Sequence, residues 1–181
     1  MSSNDDVGRS SEEKFRLDTG GQALVSVSTM QSPIRELPPT AYENLLVVSA
    51  SAPEEVAETL DTAGVALTSV GHIPISGSET AYQGEMGVCE PFVPDDLTGL
   101  SMRLSRAFEA LEDGLGWVVF DNLNVFLMYA AEERVVRFFD HTTTQARKHG
   151  ICGSYGVVRD AVDDSTYARL RRCVDTEIDL R

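Results

Sequence analysis

The sequence predicts an α/β protein whose mostly parallel central sheet is covered by helices on both faces. Three observations predict it. Short apolar runs recur along the chain, among them "ALVSV", "LLVVSA" and "WVVF", and strands this apolar are buried on both faces. Segments with helical spacing and helix-stop residues stand between these runs. The runs alternate with the helices instead of clustering, as they do in repeated strand-helix-strand units.

The elements follow in order. Residues 1–18 are polar, rich in Ser, Asp and Glu, and read as a disordered tail; residues 19–181 read as a single domain. "QALVSVS" (Gln22 to Ser28) is the first strand. In "TMQSPIRELPPTAYE" the residues Pro33, Pro38 and Pro39 oppose a regular helix. "NLLVVSA" is the second strand. "SAPEEVAETLDTAG" is a helix that Ser51 can cap, with Pro53 in its first turn, Glu54 and Glu55 at the positive end of the dipole, and Gly64 as its stop. "LTSVGHIPI" is a third strand, and a long connection follows with one short strand near "EMGVCEPF".

"DDLTGLSMRLSRAFEALEDG" is the clearest helix. Leu97, Leu100, Leu104, Ala107 and Leu111 share one face, Asp95 or Asp96 can cap it, and Gly114 lies just beyond. "GWVVFD" is the central strand, ending in Asp121. "AEERVVRFFDHTTTQARKHG" is a helix, "ICGSYGVV" a strand, "DDSTYARLRRC" a helix and "VDTEIDL" a final strand.

Charge narrows the function classes. The chain of 181 residues carries 29 acidic and 15 basic residues, a net charge of -14, and Lys14 and Lys148 are its two lysines. Such a surface suits a very salty cytoplasm, where screening is strong and hydrated carboxylates keep the chain soluble. It lacks the basic stripe that phosphate backbones require, so no direct nucleic-acid partner is expected. "RLRRC" (Arg169 to Cys173) is flanked by acids and reads as a solvated helix face. No apolar run reaches bilayer length and the first residues do not form a secretory signal, so the expected location is cytoplasmic, without a membrane partner. Cys89, Cys152 and Cys173 are too widely spaced for a zinc pair. Cys152 reads as a buried small hydrophobe.

The order of elements, and above all "PDDLTGLSMRLSRAFEALEDGLGWVVFDNLNVFLMYAAEERVVRFFDHTTTQARKHG", resembles the RecA-like core of the KaiC-type ATPases, in particular their short haloarchaeal relatives. The resemblance spans Gly20 to Arg181 and implies a RecA-like sheet flanked by helices. It also implies that Asp121 stands where the family holds magnesium, with "DNLN" in place of a small polar triplet. Two family features are missing. The first strand should lead into a glycine-rich phosphate loop ending in Lys and Ser or Thr. Yet no glycine occurs from Gln22 through Ala63 and no lysine between Lys14 and Lys148. The catalytic glutamates expected just past the second strand are replaced by Ser49, Ala50, Ser51 and Ala52.

Two functions remain open. One is a degenerate, non-catalytic domain, without cofactor, acting in regulation or signalling through a protein partner or self-association. The other is a nucleotide-binding protein that uses ATP with magnesium through Asp121, Asn122, Asn124 and Arg35, and completes its site with a partner subunit. Without a phosphate nearby, Asp121 reads first as a strand-end acid capping a loop or helix and second as a metal ligand, and Asn122 and Asn124 fit turn chemistry as well as ligand contacts. Met30, Ile34 and Leu37 decide between them: if they fill the space at the end of the first strand, no nucleotide fits. His72, His141 and His149 have no nucleophile at a recognisable elbow. "NVFLMY" and "RVVRFF" are core first and contact surface second.

Overall fold

Seven strands, three of the inner ones largely apolar, pair into one sheet. The computed structural model describes residues 11–79 and 81–181. Its strands are β1 (Gln22–Val27), β2 (Leu45–Ser49), β3 (Val70–Pro74), β4 (Gly87–Val88), β5 (Trp117–Phe120), β6 (Cys152–Val158) and β7 (Thr176–Asp179). They lie in the order β4-β3-β2-β5-β6-β1-β7, and every pairing is parallel. β1, β2 and β5 are buried at every position, the burial their continuous apolar runs predict.

Helices cover both faces. On one, α3 (Leu97–Ala110), α4 (Asn124–Tyr129), α5 (Glu132–Lys148) and α6 (Asp164–Arg171) enclose Leu100, Leu104, Phe108, Phe126, Phe138 and Leu170. Aromatic rings tie this layer to the sheet: Tyr155 stands 4.8 Å from Phe139, edge to face, and 5.3 Å from Phe120. On the other face, α2 (Pro53–Thr62) packs Val56 and Leu60 with Ile34, Leu37 and Phe15. Asp96 caps α3 by accepting from the Gly99 amide at 3.0 Å. Gly64 and Gly150, both at positive φ, follow the ends of α2 and α5 and supply the left-handed turn that only glycine adopts without cost. None of the described helices is long and apolar enough to cross a membrane.

Local readings differ at four places. Residues 1–10 of the expected tail lie outside the described residues. Its remainder includes α1 (Ser11–Lys14) and Phe15, which is buried 6.4 Å from the Trp117 ring; one aromatic in a polar segment anchors it to the domain. Ser51 does not cap α2. Pro53 holds the residue before it extended, so Ala52 takes the cap position without a side-chain bond. The start of the third strand, Leu67–Ser69, is a 3-10 turn. α4 was not foreseen, because six residues are too few to display a helical period.

Candidate functional site

A parallel sheet brings the carboxyl ends of its strands to one edge, where ligands of such folds bind. β6 lies between β1 and β5, and β2 lies on the other side of β5. Asp121 follows β5 directly and its amide donates to the Val48 carbonyl of β2 at 3.0 Å. The acid therefore sits where the sequence places it, at the sheet's carboxyl edge.

Its nearest polar neighbours are two serine hydroxyls. Ser49, the last residue of β2, donates from Oγ to Asp121 Oδ2 at 3.1 Å. Ser32, from the segment after β1, donates to Oδ1 at 3.4 Å. Ser49 Oγ in turn accepts from the Ser51 amide at 3.0 Å, which fixes the hydroxyl's direction. Burial pushes the Asp121 carboxyl above its ordinary range, and the two hydroxyl donors pull it part of the way back. Both carboxylate oxygens are thus engaged by neutral groups of the chain itself.

The segment after β1 leaves no phosphate cradle. Gln31 closes a turn on Ser28 and donates to the Leu180 carbonyl, which turns Met30 outward, 95 % exposed. Pro33–Glu36 and Pro39–Glu43 are 3-10 turns. The prolines exclude a regular helix here, so the segment after β1 offers no helix N-terminus to a phosphate. Ile34 and Leu37 are buried against α2, so two of the three apolar residues turn inward and Met30 does not. The residue that closes the edge is Pro33, buried above Gly156 of β6: a Cβ on Gly156 would meet Pro33 Cγ at 2.9 Å and the Asp121 carbonyl oxygen at 2.4 Å.

The other predicted residues divide. Arg35 is exposed and forms neither hydrogen bond nor ion pair with Asp121. Asn122 Oδ1 accepts from the Asn124 amide at 2.9 Å, a local turn that starts α4. Asn124 is buried, accepts from the Val158 amide at 2.8 Å and donates to the Val158 carbonyl at 3.4 Å. This reciprocal amide pair pins the end of β6 to α4. Asn124→Ala is expected to lower stability by about 1 to 2 kcal/mol, since it takes both hydrogen-bond partners from the partly buried backbone groups of Val158. Urea unfolding checks this, and an unchanged midpoint would refute it.

Magnesium with a nucleotide does not fit these residues. In nucleotide sites the ion takes one or two carboxylates together with phosphate oxygens; here both oxygens of Asp121 are engaged by serines, and the proline-bearing segment after β1 forms no phosphate cradle. Sequence reasoning missed Ser32, Ser49 and Gly156 as neighbours of Asp121. Ser49 carried a signal, being a polar residue at the end of an apolar strand as Asp121 is.

A family model matches residues 28–180, from the turn after β1 to the end of β7. The chain belongs to the DUF7504 family, a family of unknown function. No curated protein matches this DUF7504 chain.

Proposed function

We propose that this domain is a RecA-like scaffold that performs no catalysis and acts in regulation or signalling through protein contacts. The observation that carries the reading is the closed carboxyl edge. Asp121 is held by Ser49 and Ser32, and Pro33 covers Gly156 where a phosphate loop would have to open. Fold alone gives no function, so the contact role rests on the surface. Val93, Met128 and Tyr129 are exposed and border a cavity of about 530 Å³ that also touches Ala50 and Ile75, beyond β2 and β3. Apolar side chains gathered around a concavity favour a protein partner or a second copy.

Calorimetry with ATP and with ADP, each with magnesium in molar potassium chloride, tests the reading. No heat of binding is expected at millimolar nucleotide. Binding that Asp121→Ala abolishes would overturn it in favour of a nucleotide site completed by a partner subunit.

A further inference from the structure

In the helix layer beside the carboxyl edge, a groove between the N-terminal parts of α3 and α5 gathers basic side chains in a chain that is otherwise acidic. The groove has a volume of about 290 Å³. Thr98 and Ser101 line it from α3, and Arg134, Arg137 and His141 line it from α5, above Leu97 and Phe138. The three basic residues stand at i, i+3 and i+7, so one face of α5 presents them all.

Among the described residues no Asp or Glu side chain lines this groove, although 29 of the 181 residues are acidic. Of the acids of the same helix, Glu133 and Asp140 line the neighbouring groove toward α6, with Arg169, Arg172 and Arg137, which borders both grooves, and Glu132 pairs with Arg169. The ion pairs among the described residues use Arg147, His149, Arg159, Arg169, Arg171 and Arg181. Arg134, Arg137 and His141 take part in none of them. Arg134 Nη2 donates to the Asp95 carbonyl at 3.3 Å. That neutral acceptor steadies the guanidinium beside α3 without cancelling its charge. A merely solvated helix face accounts for exposed arginines. It does not account for a concavity whose lining pairs these residues with Thr98 and Ser101 of a second helix and includes no acid among the described residues.

We infer that this groove binds a phosphomonoester. Guanidinium forks meet phosphate oxygens through paired, charge-assisted hydrogen bonds. The hydroxyls of Thr98 and Ser101 can donate to the remaining oxygens, and Leu97 and Phe138 offer apolar surface to the organic part. The end of α3 contributes little, because Asp96 already caps it. Recognition rests on the side chains.

Titration of the full chain with phenyl phosphate tests this, in the lowest potassium chloride that keeps the native far-ultraviolet spectrum, since salt screens such contacts. Saturable binding with a Kd of about 1 mM or tighter is expected, on the order of what two charge-assisted arginine contacts supply. The double variant Arg134→Gln, Arg137→Gln is expected to weaken binding by at least about tenfold. Both side chains are exposed, so its urea midpoint should match the parent. Asp121→Ala is expected to leave the Kd unchanged. Inorganic phosphate should bind more weakly than phenyl phosphate; equal binding would overturn the phosphomonoester assignment in favour of free phosphate. No heat at about 10 mM of either probe, or binding that the double variant retains, would overturn the site.

Discussion

Gly156→Ala is expected to destabilise the domain by about 3 kcal/mol, the upper part of the range for overpacking a filled interior. The added methyl would meet the Asp121 carbonyl oxygen at 2.4 Å, Pro33 Cγ at 2.9 Å and the Phe120 carbonyl oxygen at 3.1 Å. Two of these three atoms are backbone, and neither strand can yield easily. Phe120 belongs to β5, paired through Val119 and Phe120 with Ser154 and Tyr155 of β6. The Leu123 amide donates to the Gly156 carbonyl itself at 2.8 Å. Relief would have to come from moving β5 against β6, which breaks the ladder that positions Asp121. Because the nearest obstacle is a main-chain oxygen, the second substitution Pro33→Ala should not restore stability. Gly77→Ala is the control: a Cβ there meets nothing within 4 Å, and its effect should stay below about 1 kcal/mol in either direction. Urea midpoints of the three variants decide the matter. Parent-like stability in Gly156→Ala would mean that the carboxyl edge is looser than the packing of Pro33 implies, and would reopen it as a ligand site.

This edge shows what a single sequence can disclose and what it cannot. The strand WVVF and the acid that ends it were legible because four apolar residues in a row signal a doubly buried strand. The helices α3 and α5 were legible because fourteen and seventeen residues are long enough to display a period. What surrounds Asp121 was not legible, because it depends on strand order. Ser49 reaches the acid only because β2 lies beside β5, and Ser32 only because the segment after β1 folds back across β6. The pair between Asn124 and Val158 spans 34 residues of chain. Asn124 therefore reads in sequence as a turn residue and acts in the fold as a clamp. The missing phosphate loop was legible as an absence of glycine and lysine. That a proline closes the space instead follows from packing, which no local pattern encodes.

His72 is the second residue with a large expected effect. It lies on β3, is 2 % exposed, and among the described residues neither ring nitrogen has a well-formed hydrogen bond, the Ser49 backbone being the chief polar influence on it. Burial lowers its pKa to about 4, against a smaller raising influence from the Ser49 backbone and Glu54. The folded protein thus holds the ring neutral at pH values where the unfolded chain, with an ordinary histidine pKa near 6.5, already binds a proton. Stability that depends on the neutral ring is fully present above about pH 6.5 and falls as the pH drops toward 4, by about 3 kcal/mol in total. Asp121 acts in the opposite sense. Its raised carboxyl pKa makes protonation easier in the fold than in the unfolded chain, so it offsets part of the loss at the acid end. His72→Leu keeps the volume and removes both the titration and the two ring nitrogens. It should match or exceed the parent near neutral pH, since a poorly satisfied buried polar group is lost, and it should exceed the parent by about 2 to 3 kcal/mol near pH 4.5. Urea midpoints at about pH 7.5 and about pH 4.5 measure the difference. If parent and variant lose stability equally between these conditions, His72 is not the group whose protonation the fold resists, and the acid sensitivity belongs to the carboxylates.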